Sequence, residues 1–251
     1  MPVAIKGTGG GSVTLDAGAA ATDTTLTLPN TSGTVALTVG GAIPVTQGGT
    51  GAVTLTANAV LIGNGTSAIT AVAPSTNGNV LFTTDGTTWS STAKIVQGTA
   101  QASTSGTSID FTGIPSWVKR VTVMFNGVST SGTSIVQVQL GSGSVTTSGY
   151  LGGYIQASSA SAAAIAGLTT GFLVGTPTAA TATFQGALII NLLSASANTW
   201  ADIGNIADST NQRFWSSSGT ISLSGTLDRV RITTVNGTDT FDAGSINILY
   251  E

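Results

Sequence analysis

The chain has 251 residues and a formal net charge of −3, and it contains neither cysteine nor histidine. Without thiol or imidazole groups, Ser-His-Asp and Cys-His nucleophile systems, structural zinc sites and disulfide bonds are excluded. Charged residues make up only 7% of the chain, against about 25% in an average soluble domain, and the few lysines and arginines form no basic face for nucleic acid.

The rest of the composition favours β structure. Hydrophobic residues make up 41% of the chain, and 34 residues are glycine. Threonine is abundant, and its branched side chain suits a half-exposed pleated surface. The longest apolar run, residues 187–193, is far short of the ~20 residues that a membrane-spanning helix needs. Residues 1–11 run into glycines instead of an apolar stretch, so we expect no signal peptide.

Taken in chain order, residues 1–95 come first and contain few large apolar residues from which a core could form. Phe82 and Trp89 are the only aromatic residues among them, and Gly and Thr recur every few positions. Asn-Gly or Asp-Gly pairs at 64–65, 77–78 and 85–86 are typical of tight turns. Such strands carry too little apolar bulk for a monomeric core, so we expect them to associate with other copies of the chain.

From residue 97 onward the predicted strands lengthen and aromatic residues become frequent. Alternating or β-branched runs predict strands at 121–125, 135–140, 229–235 and 245–250, with Asn126-Gly127 and Asn236-Gly237 as turns. The Ala/Ser-rich stretch 157–168 is interpreted as a loop or an irregular strand. Many short strands around one apolar core predict an antiparallel β-sandwich.

Two long tracts carry no charge, one between Asp23 and Asp85 and one between Arg120 and Asp202. A surface of this kind is tolerated where much of it lies inside an assembly. The alternative is a surface hydrated by serine and threonine hydroxyls. We favour the assembly.

The carboxylates of the second half are the only candidates for catalysis, since paired carboxyls can cleave glycosidic bonds. We instead expect structural roles: Asp228 as the partner of a surface charge, Asp239 and Asp242 as turn formers, and Asp202 and Asp208 in a loop around Gly204-Asn205. Glu251 is the terminal residue. The sequence therefore predicts no enzyme activity, no catalytic residue, no cofactor and no metal.

Aromatic and polar residues between 200 and 215 form the candidate binding surface. Trp200 and Trp215 flank a charge-bearing region, and sugars stack on aromatic rings while amides and carboxylates bond their hydroxyls. The alternative is that both tryptophans pack in the core or between subunits. The predicted receptor-contacting residues are Trp200, Asp202, Asn205, Asp208, Asn211, Gln212, Arg213 and Trp215.

Several segments resemble bacteriophage tail-fibre proteins. Residues 44–51 (PVTQGGTG), followed by 61–67 (LIGNGTS), are similar to a segment found in many such fibres. Upstream, 11–15 and 25–35 resemble an N-terminal attachment segment. Downstream, 109–128 and 243–251 resemble the beginning and end of a C-terminal β domain.

The resemblance implies an all-β homotrimeric virion fibre. A Gly/Thr-rich extended N-terminal part would contain a virion-attachment segment (1–40) and an intertwined β shaft or linker (41–96), followed by a jelly-roll-like antiparallel sandwich (97–251). The implied function is that of a short tail fibre, made in the bacterial cytoplasm and carried on the tail or capsid exterior, that binds a host surface glycan or protein. The alternative is a purely structural head fibre, decoration or tail connector. A bacterial surface adhesin is a third reading, against which the missing signal peptide counts.

Overall fold

The computed structural model describes residues 3–6, 12–15, 42–45, 49–73, 79–83, 86–93, 95–159 and 161–251. The chain divides into two compact units, residues 1–73 and 74–251. The described parts are built of antiparallel strands and contain no α-helix. The predictions for residues 7–11, 25–35, 46–48, 77–78 and Asp85 lie outside the described residues.

The first unit contributes two short hairpins. Strand β1 (Val3–Lys6) pairs with β2 (Ser12–Leu15), and β3 (Val60–Ile62) pairs with β4 (Thr70–Val72). Asn64-Gly65 forms the predicted turn between β3 and β4, where Gly65 has a φ of 59°. No described side chain of this unit is fully buried, and Val53, Leu55, Val60 and Leu61 are exposed.

The described residues of the second unit form sixteen strands. They are β5 (Asn79–Thr83), β6 (Trp89–Ala93), β7 (Val96–Gln97), β8 (Gln101–Ala102), β9 (Ser108–Thr112), β10 (Arg120–Thr130), β11 (Val136–Ser142), β12 (Ser144–Val145), β13 (Leu151–Ser158), β14 (Ser161–Leu168), β15 (Phe172–Gly175), β16 (Phe184–Ser194), β17 (Thr199–Asp208), β18 (Arg213–Ser222), β19 (Arg229–Thr234) and β20 (Phe241–Tyr250).

Two sheets account for most of these strands. The larger one has the order β14-β13-β18-β17-β16-β10-β20-β7, with β8 also paired to β20. The smaller one has the order β12-β11-β19-β9, with β15 also paired to β11. Strands β5 and β6 form a separate hairpin. Some strands that are neighbours in a sheet are far apart in sequence, such as β10 and β20.

Side chains from both sheets form a single core because apolar residues occupy every second position of the central strands. In β10 these residues are Val121, Val123 and Phe125, and in β19 they are Val230 and Ile232. The Tyr150 hydroxyl accepts a hydrogen bond from the Leu140 amide at 2.7 Å, and burial raises the pKa of this phenol.

The strands predicted from alternation are present. Residues 135–140 belong largely to β11, 229–234 form β19, and 245–250 lie in β20, which begins earlier, at Phe241. Asn236-Gly237 is a turn, with Gly237 at a φ of 67°. Three arginines form ion pairs: Arg120 with Glu251, Arg229 with Asp228, and Arg231 with Asp110.

One local prediction is wrong, and the structure decides between the two readings of another. Asn126-Gly127 does not end a strand: β10 continues to Thr130, and the pairing register with β16 shifts between Phe125 and Val128. Gly127 uses its positive φ of 63° to form an irregularity of the bulge type instead of a turn. Of the two readings of residues 157–168, a loop or an irregular strand, the structure has the strand: the stretch includes the end of β13 and all of β14, which pair from Gly152↔Leu168 with a register shift between Gln156 and Ser158.

Candidate functional site

The candidate residues lie on β17, β18 and the turn between them. The predicted loop around Gly204-Asn205 is wrong, because β17 runs without interruption from Thr199 to Asp208. Its partner β18 returns in register, so that Trp200 faces Ile221 and Asp208 faces Arg213. The region is therefore a long hairpin, with only residues 209–212 outside its strands.

This hairpin separates the two tryptophans. Trp215 pairs with Ile206, whereas Trp200 lies six positions earlier on β17. At about 3.4 Å per residue, that offset amounts to about 20 Å along the strand. Asp208, Asn211, Gln212, Arg213 and Trp215 gather at the turn end, and Trp200 and Asp202 lie towards the opposite end. The eight residues do not form one patch.

Both indole rings are core groups in the structure. Trp200 is 2% exposed and Trp215 is 1% exposed. The Trp215 Nε1–H donates to Gln156 Oε1 at 3.0 Å and to Thr176 Oγ1 at 2.9 Å, and the ring meets Phe184 edge-on. Trp200 Nε1 is buried without a hydrogen-bond partner. Neither ring offers a face on which a sugar could stack.

Asp208 organises the turn that joins the two strands. Its Oδ1 accepts hydrogen bonds from the backbone amides of Thr183, Thr210 and Asn211, and its Oδ2 accepts one from Asn211 Nδ2 at 2.7 Å. A carboxylate that gathers several backbone N–H groups replaces the solvation it lost on burial. Asp208 is thus placed to hold the turn.

Asp202 is buried in the core near the middle of β17. Ser217 Oγ donates to Asp202 Oδ2 at 3.4 Å, and Asp202 Oδ1 has no hydrogen-bond partner. Burial raises the pKa of Asp202 to about 7, against the smaller lowering effect of the Ser217 hydrogen bond. Beside it lies a cavity of about 10 Å³ lined by Gly152, Gly171 and Leu173 among others, about the space of one water molecule.

The exposed members of the candidate set are Asn205 and Gln212, while Asn211 and Arg213 are half-buried. The sequence analysis missed Phe214, which is 44% exposed and stands on the outer face of β18 next to this turn. The sequence shows only that these two adjacent strand residues point to opposite faces, and the burial of Trp215 then places Phe214 on the outer face. Phe214 is the aromatic ring that the turn end presents to solvent.

Asp228 and Asp239 have structural partners. Asp228 pairs with Arg229 at 2.8 Å, and the hydrogen bond from Arg229 lowers the pKa of Asp228. Asp239 accepts from Asn236 Nδ2 and from the Ser134 amide, and the Asn236 bond lowers the pKa of Asp239. These contacts confirm the surface pair expected for Asp228 and the turn role expected for Asp239. The lack of catalytic activity stays a prediction.

Among the described residues no cluster of three or more acidic side chains could hold a metal ion. Within the part of the chain that the structure covers, no helix is long and apolar enough to span a bilayer. Neither family models nor curated proteins nor solved structures gave a match to this chain.

Proposed function

We propose that the chain is a structural protein of a bacteriophage virion, a short tail fibre that binds a host cell-surface receptor through residues 97–251 without catalysis. The resemblance of residues 44–51 and 61–67 to tail-fibre segments supports this reading. In this proposal the two sheets form a jelly-roll-like sandwich, residues 1–40 attach to the virion, and residues 41–96 intertwine with other copies in a homotrimer.

The observation that supports the proposal is that the described residues of the first unit form only short strands and bury no apolar side chain fully. Its described strands are four residues long or shorter, and its apolar side chains Val53, Leu55 and Val60 are exposed. A two-stranded hairpin is marginal by itself in water. Association with identical strands of other copies would bury these side chains and satisfy their free edges.

Light scattering on the purified full chain, before and after mild SDS treatment, tests the assembly. An intertwined trimer has three times the chain mass of 24.7 kDa, and we expect it to resist SDS. A species of 24.7 kDa at all concentrations would contradict the proposal.

Receptor contact is proposed for the turn end of the β17–β18 hairpin. Exposed Phe214, with Gln212 and Asn205 on the same hairpin, offers a ring and amide groups to a sugar or protein surface. Phe214→Ala should weaken binding of the labelled chain to receptor-bearing bacterial cells about tenfold. Val235→Ala, at an exposed position after β19, is the matched control and should bind like the wild type. Equal binding by all three chains would contradict the assignment.

The purely structural virion component is the second candidate. Burial of both Trp200 and Trp215 favours it, because the two rings expected to contact a receptor pack in the core instead. Binding of the wild-type chain across a panel of bacterial strains and purified surface polysaccharides separates the two functions. Binding to none of them, together with a trimeric mass, would favour the structural role.

A further inference from the structure

The outer surface of the larger sheet presents an apolar face, which we define as Leu151, Ile155, Ile189, Leu193 and Ile203. All five side chains are exposed, and they belong to β13, β16 and β17. Register places Ile189 directly opposite Ile203, and it pairs Ser216 with both Ile155 and Asn205. The apolar groups therefore share one side of the sheet.

No charged residue occupies this side of the four strands β13, β18, β17 and β16. Outward positions alternate with the buried ones, and they hold only Gly, Ala, Ser, Thr, Asn, Gln, Leu, Ile and Phe. Lysine, glutamate and arginine normally protect exposed sheet surfaces from association. Their absence leaves nothing to attract a charged partner, and two such faces meet without burying an unpaired charge.

The shape of this surface would allow it to pack against the same surface of a second copy. Ile189 and Ile203 form a ridge across β16 and β17, and Ile155 stands on β13. Between them runs an open trough of about 370 Å³, lined by Gly153, Ser216 and Ser218 among others. A face that carries both a ridge and a trough could pack on its own copy in a two-fold contact, with each ridge in the trough of the other copy.

The extent of the face is sufficient for a specific contact. Four strands spaced about 4.8 Å apart, with about eight residues each at about 3.4 Å, cover about 500 Å² per copy. Two copies would bury about 1,000 Å², which reaches the size at which specific interfaces begin.

We propose that this face packs against the same sheet of a second copy of the chain, with the Ile189–Ile203 ridge of one copy in the Ser216–Ser218 trough of the other. This contact is two-fold, so it joins second units in pairs and goes beyond the trimer proposed above, whose threefold contacts need a different surface. Phe214 lies on the same side of β18, two residues from Ser216, at the end of this face nearest the turn.

Charge substitution in the full chain tests the proposal. Ile203→Lys places an ammonium group at the centre of the contact and should weaken self-association at least about 30-fold, as measured by sedimentation over a concentration series. Val235→Lys is the matched control, because both residues are β-branched and exposed, Ile203 at 53% and Val235 at 43%. Circular dichroism melting verifies that both variants are folded.

Thiol labelling gives a second measurement that does not depend on disruption. The chain has no cysteine, so maleimide reacts only at an introduced one. We expect Ile203→Cys to be labelled slowly when concentrated and quickly after dilution below the dissociation constant, whereas Val235→Cys is labelled quickly in both states.

The outcomes separate the two proposals. Weakened association of Ile203→Lys alone, with concentration-dependent labelling at position 203, supports the face. If the wild type is oligomeric but neither its association nor its labelling depends on position 203, the proposed face is wrong. Self-association would then still be supported. A wild type that is monomeric throughout overturns both, and the apolar face would then belong to a different protein.

Discussion

At the residue scale, Trp200 and Trp215 are matched in burial but not in hydrogen bonding. Both rings point into the core from neighbouring strands of one sheet. The Trp215 N–H donates to Gln156 and Thr176, whereas the Trp200 N–H has no partner. A buried donor without a partner has lost its water and regained nothing, which costs roughly 1–3 kcal/mol.

The pair allows a controlled measurement of that difference. Both Trp→Phe changes remove the same atoms, but Trp215→Phe also removes two hydrogen bonds while Trp200→Phe removes an unsatisfied group. We expect Trp215→Phe to lower the free energy of unfolding in urea by about 1–2 kcal/mol more than Trp200→Phe. Equal losses, or a larger loss for Trp200→Phe, would contradict this account.

Asp202 should make the stability of the second unit depend on pH. Its pKa is raised by burial from 3.8 to about 7. The folded state therefore holds a proton that the unfolded chain releases between about pH 4 and pH 7, and stability falls as pH rises through this window. The contribution is complete below about pH 4, is lost above about pH 7, and amounts to at most about 4 kcal/mol.

Asp202→Asn should remove this dependence, because an amide keeps the shape of the group and cannot ionise. Urea unfolding between pH 4 and pH 8 should show a falling free energy for the wild type and a flatter curve for the variant, which becomes the more stable chain above pH 7. The exposed Asp242 supplies the control variant Asp242→Asn, whose curve should follow the wild type. Parallel curves for all three chains would disprove the assignment.

At the element scale, the bend of β10 against β20 depends on two glycines. Gly127 has a φ of 63° and Gly244 a φ of 90°, and the β10–β20 register shifts between Asn126 and Ser129. A Cβ on Gly127 would meet open space, whereas a Cβ on Gly244 would collide with the carbonyl of Gly127. Both positions need a positive φ, but only one of them also lacks room.

Alanine substitutions should separate these two costs. Gly127→Ala is expected to lower the free energy of unfolding by about 1 kcal/mol through backbone strain alone. Gly244→Ala adds a backbone clash and should cost at least about 3 kcal/mol. Thermal or urea unfolding of both variants decides the matter, and a Gly244→Ala chain as stable as Gly127→Ala would show that the strands separate freely there.

Local pattern predicted four strands of the second unit but not their continuity. Alternation located β11, β19 and β20 because their inward residues are large and apolar. Asn126-Gly127 led to the wrong prediction of a strand end, because residues with a positive φ occur both in hairpin turns and in bulges. Asp202 and Asp208 suggested a loop, although both lie on the inward face of β17, where burial is determined by the partner strands and not by the residue itself.

At the scale of the whole molecule, the all-β class follows from composition, whereas the strand order does not. The pairings β10·β20 and β11·β19 join segments about a hundred residues apart, and no local sequence signal selects one distant edge over another. The candidate surface failed for the same reason. Whether Trp215 or Phe214 faces solvent depends on which side of the larger sheet the smaller one covers.

The division into two units also determines how assembly can be dissected. Every residue of the core cluster lies between Ile109 and Ile248, so a chain beginning at Pro74 should fold with an unfolding midpoint close to that of the full chain. If residues 1–73 hold the copies together, this shorter chain should dissociate on dilution while the full chain does not, as measured by sedimentation at matched concentrations.

Any association that the shorter chain keeps would come from the apolar face. It should disappear when Ile203→Lys is introduced into the shorter chain. A shorter chain that trimerises as tightly as the full one would show that the second unit holds the assembly together by itself, and residues 41–73 would lose the intertwined role proposed for them.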